Sequence, residues 1–239
     1  MRTALTPFLA LVCSVSASAQ DAVPKPSDKE AEAVIRDLRA ALEKGTDVEK
    51  RDALVACIDC PHPKVAAAIA PVLVTGTAEL RIGASQVLGR MPGLAEAAQA
   101  LHAALKPNEK DEKTLQAMFA GIARVGHLSS VAVLRAWIDD RLDLRDSDEV
   151  PGVGYAFDAL GYLKWKASVE AILDLVNKKK VSGEHAGSGG GYKQKVAKRA
   201  EAALVRLTGQ EPFNDLELWK DWWKKHARDF NEDMTAREK

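Results

Sequence analysis

Apolar residues recur at steps of three and four along most of the chain between residues 28 and 208, and short polar or Gly/Pro-bearing breaks divide the pattern into segments. Such steps place side chains on one face of a helix. Five amphipathic segments stand out first: Asp28 to Lys44, Pro63 to Val74, Leu94 to Lys106, Leu128 to Leu142 and Trp165 to Lys179. Each is followed by another helical stretch. Nowhere do β-branched residues alternate between turns as a half-buried strand requires, so the expected fold class is all-α.

The second stretches resemble one another. The clearest copy is Leu80-Arg81-x-x-Ala84-x-x-Val87-Leu88-Gly89-x-Met91. Ala156-x-x-Ala159-Leu160-Gly161-x-Leu163 and Val196-Ala197-x-x-Ala200-x-x-Ala203-Leu204-x-x-Leu207 repeat it, and Met118-x-x-Gly121-Ile122-x-x-Val125 follows more loosely. Ala53-x-x-Ala56-Cys57-x-x-Cys60 keeps the small residues but carries cysteines where the others have large aliphatic ones. Small residues let a neighbouring helix approach, and the large ones fill the space beyond. The unit is therefore a helical hairpin. Leu88, Ile122 and Leu160 fall 34 and then 38 residues apart, within the range of helical repeats.

A helix of the form Val/Leu-Arg-x-x-Ala-x-x-Ala-Leu-Gly-x-Leu, in hairpins of this length, resembles the second helix of a HEAT repeat. The arginine after the aliphatic position occurs only as Arg81. Armadillo and tetratricopeptide arrays are the alternatives, although the tetratricopeptide order of Trp, Gly-Tyr and Pro is not met. The segment Leu207 to Gln210, followed by the Trp219-x-x-Trp222-Trp223 pattern, is similar to closing segments of exported bacterial HEAT-like proteins. The resemblance implies an α-solenoid of about five stacked hairpins over residues 28–210. A Trp-rich capping helix and tail would close it over residues 211–239.

Local signals mark both ends. Ser27 to Glu30 reads as a capping box; Asn214 and Glu217 form a similar one, with Phe213 and Leu218 placed as a hydrophobic staple before Trp219, Trp222, Trp223 and Phe230. Residues 1–19 read as a cleaved signal peptide: Arg2, then an apolar run from Leu5 to Val15, then Ala17-Ser18-Ala19 ahead of Gln20. Residues 20–27 would be a short linker. The chain is expected to be exported, periplasmic or secreted, with no membrane span once the signal is removed. Lipidation at Cys13 is disfavoured because Val12 precedes it, where a small residue is usual.

Composition supports the helical reading, since 39 of the 239 residues are alanine and only 5% are aromatic. With 34 basic against 34 acidic residues there is no overall field to draw nucleic acid or an anionic membrane. The balance is nevertheless uneven. Between Lys164 and Arg206 basic residues outnumber acidic ones by ten to four, and Lys178, Lys179, Lys180, Lys193, Lys195, Lys198 and Arg199 make a candidate partner-binding basic face. An acidic stretch with Asp143, Asp146 and Asp148 precedes it, without the order of a calcium loop.

Other candidate chemistry is sparse. Cys57 and Cys60 are read first as small core residues, then as a disulfide, for which the helix must fray at Cys60 to bring the sulfurs close enough. Pro61 would favour that fraying and rules out a haem-attachment order. The Gly-rich stretch Ser182 to Gly191 lacks the Gly-Lys-Ser/Thr end of a phosphate-binding loop. His62, His102, His127, His185 and His226 have no metal-ligand spacing. No catalytic, cofactor or metal residue is assigned. The function expected is a non-enzymatic scaffold for a protein or peptide, with an anionic polymer as another ligand class and nucleic acid disfavoured. Metal- or redox-linked activity at Cys57, Cys60 and His62, or an accessory role in a larger enzyme complex, is the alternative.

Overall fold

The computed structural model describes residues 25–142, 152–178, 191–213 and 215–237. Outside them lie the expected signal peptide, Asp143, Asp146, Asp148, Lys179, Lys180, Asn214, and all of the Gly-rich stretch except Gly191, with His185. Among the described residues the α-helices are, in order, α1 (Asp28–Lys44), α2 (Asp47–Ala56), α3 (Pro63–Ile69), α4 (Val72–Thr75), α5 (Ala78–Leu88), α6 (Ala95–Leu105), α7 (Glu112–Val125), α8 (Ser129–Arg141), α9 (Val153–Leu160), α10 (Lys166–Lys178), α11 (Gly191–Thr208) and α12 (Leu216–His226). A lone bridge between Phe230 and Ala236 is the only strand-like pairing among them. The all-α expectation holds.

The helix starts follow from local chemistry. Ser27 caps α1 by accepting from the Glu30 amide, and the Glu30 carboxylate returns to the Ser27 amide at 2.7 Å. Thr46 and Glu49 do the same for α2, a box the sequence reading passes over. The expected helix from Pro63 to Val74 is broken. Pro71 has no N–H to bond Ala67, and its ring crowds the turn before it, so α3 stops and α4 restarts. At the far end α12 is capped by Asp215, which accepts from the Glu217 amide. This moves the staple: Phe213 packs edge-on against Trp219 at 5.0 Å, and Leu218 is left 49% exposed.

Helix contacts run in two series. α1 touches α3, α3 touches α6, α6 touches α8, α8 touches α10 and α10 touches α12. In parallel, α2 touches α5, α5 touches α7, α7 touches α9 and α9 touches α11. The pairs α1–α2, α4–α5, α6–α7, α8–α9 and α10–α11 join the series. Between them lies a continuous core of mostly leucine, isoleucine, valine and alanine, which Trp219 and Trp223 of α12 also join.

The second series is held close by its small residues. A Cβ on Gly121 would lie 2.7 Å from the Ser85 carbonyl oxygen, and one on Gly89 would lie 3.1 Å from the Gly121 Cα. One on Gly161 would lie 2.8 Å from the Ala203 Cα. These are the positions the repeat pattern marks as small. Polar links bridge successive hairpins at similar separations along the chain: Arg81 to Asp111 at 2.9 Å, Arg141 to Glu109 at 3.2 Å, Arg199 to Asp158 at 2.7 Å and Trp165 Nε1 to the Gly126 carbonyl at 3.0 Å.

A pair of glycine substitutions separates packing from helix propensity. Gly121→Ala should cost about 1–3 kcal/mol, because its Cβ meets backbone that cannot swing aside. Gly83→Ala, in the same series but with nothing within 4 Å of its added Cβ, should gain about 0.5–1 kcal/mol. Urea unfolding of the two variants measures both; equal effects would rule out close packing at Gly121.

Candidate binding groove

Three helices of the second series present a groove. On α2 and the turn after it, Arg51, Leu54, Val55 and Ile58 share one face through their three- and four-residue steps. On α5 and just beyond, Glu79, Ile82, Gly83, Gln86, Val87 and Arg90 repeat that spacing, and Arg124 of α7 closes the far side. The cavity is about 610 Å³, within the range of small binding sites. Leu54 and Val87 are buried in its floor, Ile58 and Ile82 are half-buried, and Val55 is 57% exposed.

The charges at this groove are unpaired. Arg51, Arg90 and Arg124 are exposed, and none forms a hydrogen bond or ion pair among the described residues. Glu79 is the one acidic residue in the lining, so three cations face one anion. Two grooves in the first series differ. Between α8 and α10 a cavity of about 620 Å³ is spanned by an Arg135–Asp174 ion pair. Between α1 and α3, Lys64 bonds Asp28 and Glu32, each at 3.1 Å.

The expected sites fare unevenly. Cys57 begins a 3₁₀ turn after α2, and Cys60 has left the helix at φ −127° and ψ 69°, the fraying that a disulfide would need. Both cysteines are buried and carry free thiols, with Cys57 Sγ donating to the Ala53 carbonyl at 3.3 Å. Burial, with a smaller contribution from Cys60, pushes the Cys57 thiol up to about 11; burial and nearby Glu30 also raise Cys60. His62 turns Nδ1 to the Lys64 amide and Nε2 to Asp28, at 3.2 and 3.1 Å, so neither nitrogen is offered to the thiols.

On the basic face, Lys178 ends α10 and is paired with Asp139, while Lys193, Lys195, Lys198 and Arg199 lie on α11. Arg199 bonds Asp158, and its guanidinium occupies the space that a Cβ on Gly154 would need. Two of these cations therefore link helices. The remaining described histidines are also engaged: His127 Nδ1 accepts from the Ser129 amide at 3.2 Å, His226 stacks on Trp222, and His102 Nε2 lies 2.9 Å from Ser130 Oγ.

The sequence reading misses the groove because its cations come from three different hairpins and form no local motif. The one available signal is Gly83, a mid-helix glycine at a position the repeat pattern does not require to be small.

Two measurements follow from the titratable groups. Alkylation of Cys57 in the native protein at pH 8 should be slow compared with a free thiol, and should become fast in denaturant; rapid native labelling would contradict its burial. Burial, with a smaller contribution from His127, lowers His102 from 6.5 to about 4, so between those values the unfolded chain binds the extra proton. Stability should fall as pH drops from about 6.5 towards 4, and His102→Gln should flatten that slope in urea titrations. Carboxylates held low by hydrogen bonds, such as Glu30 and Asp111, act in a lower window. An unchanged slope in the variant would remove His102 as its source. No family model matches this chain, and no curated protein matches it.

Proposed function

We propose that the chain is an exported, HEAT-like α-solenoid of about five hairpins, closed by α12, that serves as a non-enzymatic scaffold for a protein or peptide partner. The observation that carries this reading is the double series of helix contacts, with close small-residue seams between α5 and α7 and between α9 and α11. An array of that kind has an extended second-series face. Here that face carries an open groove with unpaired guanidiniums.

The aliphatic floor favours a peptide over a polysaccharide or nucleic acid, which offer little to bury against Val55 and Ile82. Buried thiols and an engaged His62 lend no support to metal or redox chemistry at that end.

A photo-crosslinking residue placed at Gln86, in the groove, should give a discrete adduct in the protein's native compartment. The same residue at Gln99, exposed on α6, should give less. Absence of an adduct from either position would remove the scaffold reading. N-terminal sequencing of the mature protein should begin at Gln20; a chain still starting at Met1 would remove export.

A further inference from the structure

Among the described residues, most cations that line the other grooves or join hairpins are paired with an acid; Arg39, beside the groove between α1 and α3, is an exception. The first-series grooves hold Arg135–Asp174 and Lys64 with Asp28 and Glu32, and the links between hairpins hold Arg81–Asp111, Arg141–Glu109 and Arg199–Asp158. Against that background the second-series groove keeps three arginines for one glutamate. An unpaired, exposed guanidinium gives no stability to the fold, but its planar fork matches a carboxylate through two parallel hydrogen bonds.

Gly83 is the second observation. A glycine inside a helix costs about 0.5–1 kcal/mol relative to alanine. In this series Gly89, Gly121 and Gly161 each sit close against a neighbouring backbone, yet a Cβ at Gly83 would meet nothing within 4 Å. Its φ is not in the left-handed region either. Neither packing nor backbone conformation calls for a glycine there. It does leave the wall between Ile82 and Gln86 low, opening the cavity towards Val55 and Ile58.

Resting on the scaffold reading above, we infer that this groove takes an acidic peptide segment bearing a branched aliphatic side chain. The carboxylates pair with Arg51, Arg90 and Arg124, and the aliphatic group lies across Gly83 onto Val55, Ile58 and Ile82. Apolar burial supplies affinity, and the arginines set which segments are accepted. A lysine-rich segment is repelled. An anionic polysaccharide meets the arginines but leaves the aliphatic floor wet.

The test uses fluorescence anisotropy on the full mature chain, with a short fluorescein-labelled peptide in which glutamates flank a central isoleucine. Comparators are an all-glutamate peptide, a lysine-flanked peptide and dextran sulfate. The glutamate-isoleucine peptide should bind saturably, and the Arg90→Glu/Arg124→Glu variant should weaken it by roughly tenfold or more. Gly83→Glu should weaken it as well, by filling the floor and placing a like charge there. Lys225→Glu, on exposed α12 surface, should leave it unchanged, and circular dichroism on each variant confirms the fold.

No saturable binding overturns the inference, as does binding that the groove variants leave intact. Equal affinity for dextran sulfate or the all-glutamate peptide also overturns it, since the groove would then be a surface for anionic polymers. A Gln86 adduct in the native compartment without acidic-peptide binding would leave the scaffold reading standing and this inference refuted. Acidic-peptide binding lost in the variants would support the inference even where no adduct forms, which counts against the scaffold reading alone.

Discussion

The close approach of the second-series helices is the constraint on which the rest of the molecule depends. Gly89 and Gly121 bring α5 and α7 together, and Gly161 does the same for α9 against Ala203 of α11. At these separations the large residues next to them in the chain, such as Leu88, Ile122 and Leu204, become fully buried. Burial of a leucine or isoleucine side chain is worth about 1.5–3 kcal/mol, and it is available only if the small residue beside it stays small. The seam is what turns a set of marginal hairpins into one core.

Much of this was legible in the sequence, for a physical reason. A repeated packing problem has a repeated answer, so sliding the chain over itself sets Gly89 on Gly161, and Gly121 on Ala159 two places earlier. The capping box at Ser27 and Glu30 was equally plain, because caps are local. Departures arise where one residue outweighs the pattern: Pro71 breaks a segment whose apolar spacing runs straight through it, and Asp215 takes the cap one residue beyond the expected Asn214. Longer-range chemistry was poorly legible. Arg199 reads as part of a basic run, yet it reaches back to Asp158, and the groove is assembled from hairpins that the sequence leaves far apart.

Charge plays two roles in this architecture. Most described ion pairs that cross between hairpins are partly exposed, where a pair contributes less than about 1 kcal/mol. Their value lies more in register than in strength, since each arginine reaches one particular acid on the neighbouring hairpin. The unpaired arginines of the groove have no such role in the fold.

The two series of contacts also govern how the molecule comes apart. Each substantial helix contact reaches only the hairpin partner or the adjoining hairpin, and none joins the first hairpin to the last. Cooperativity is thus passed from neighbour to neighbour. The first hairpin, with a neighbouring hairpin on one side only, should exchange its amide hydrogens ahead of α6 and α7, which are held from both sides. The groove lies between the edge and the interior of this gradient, on α2, α5 and α7, so an occupant bridging those helices would carry rigidity from the middle of the array to its N-terminal end.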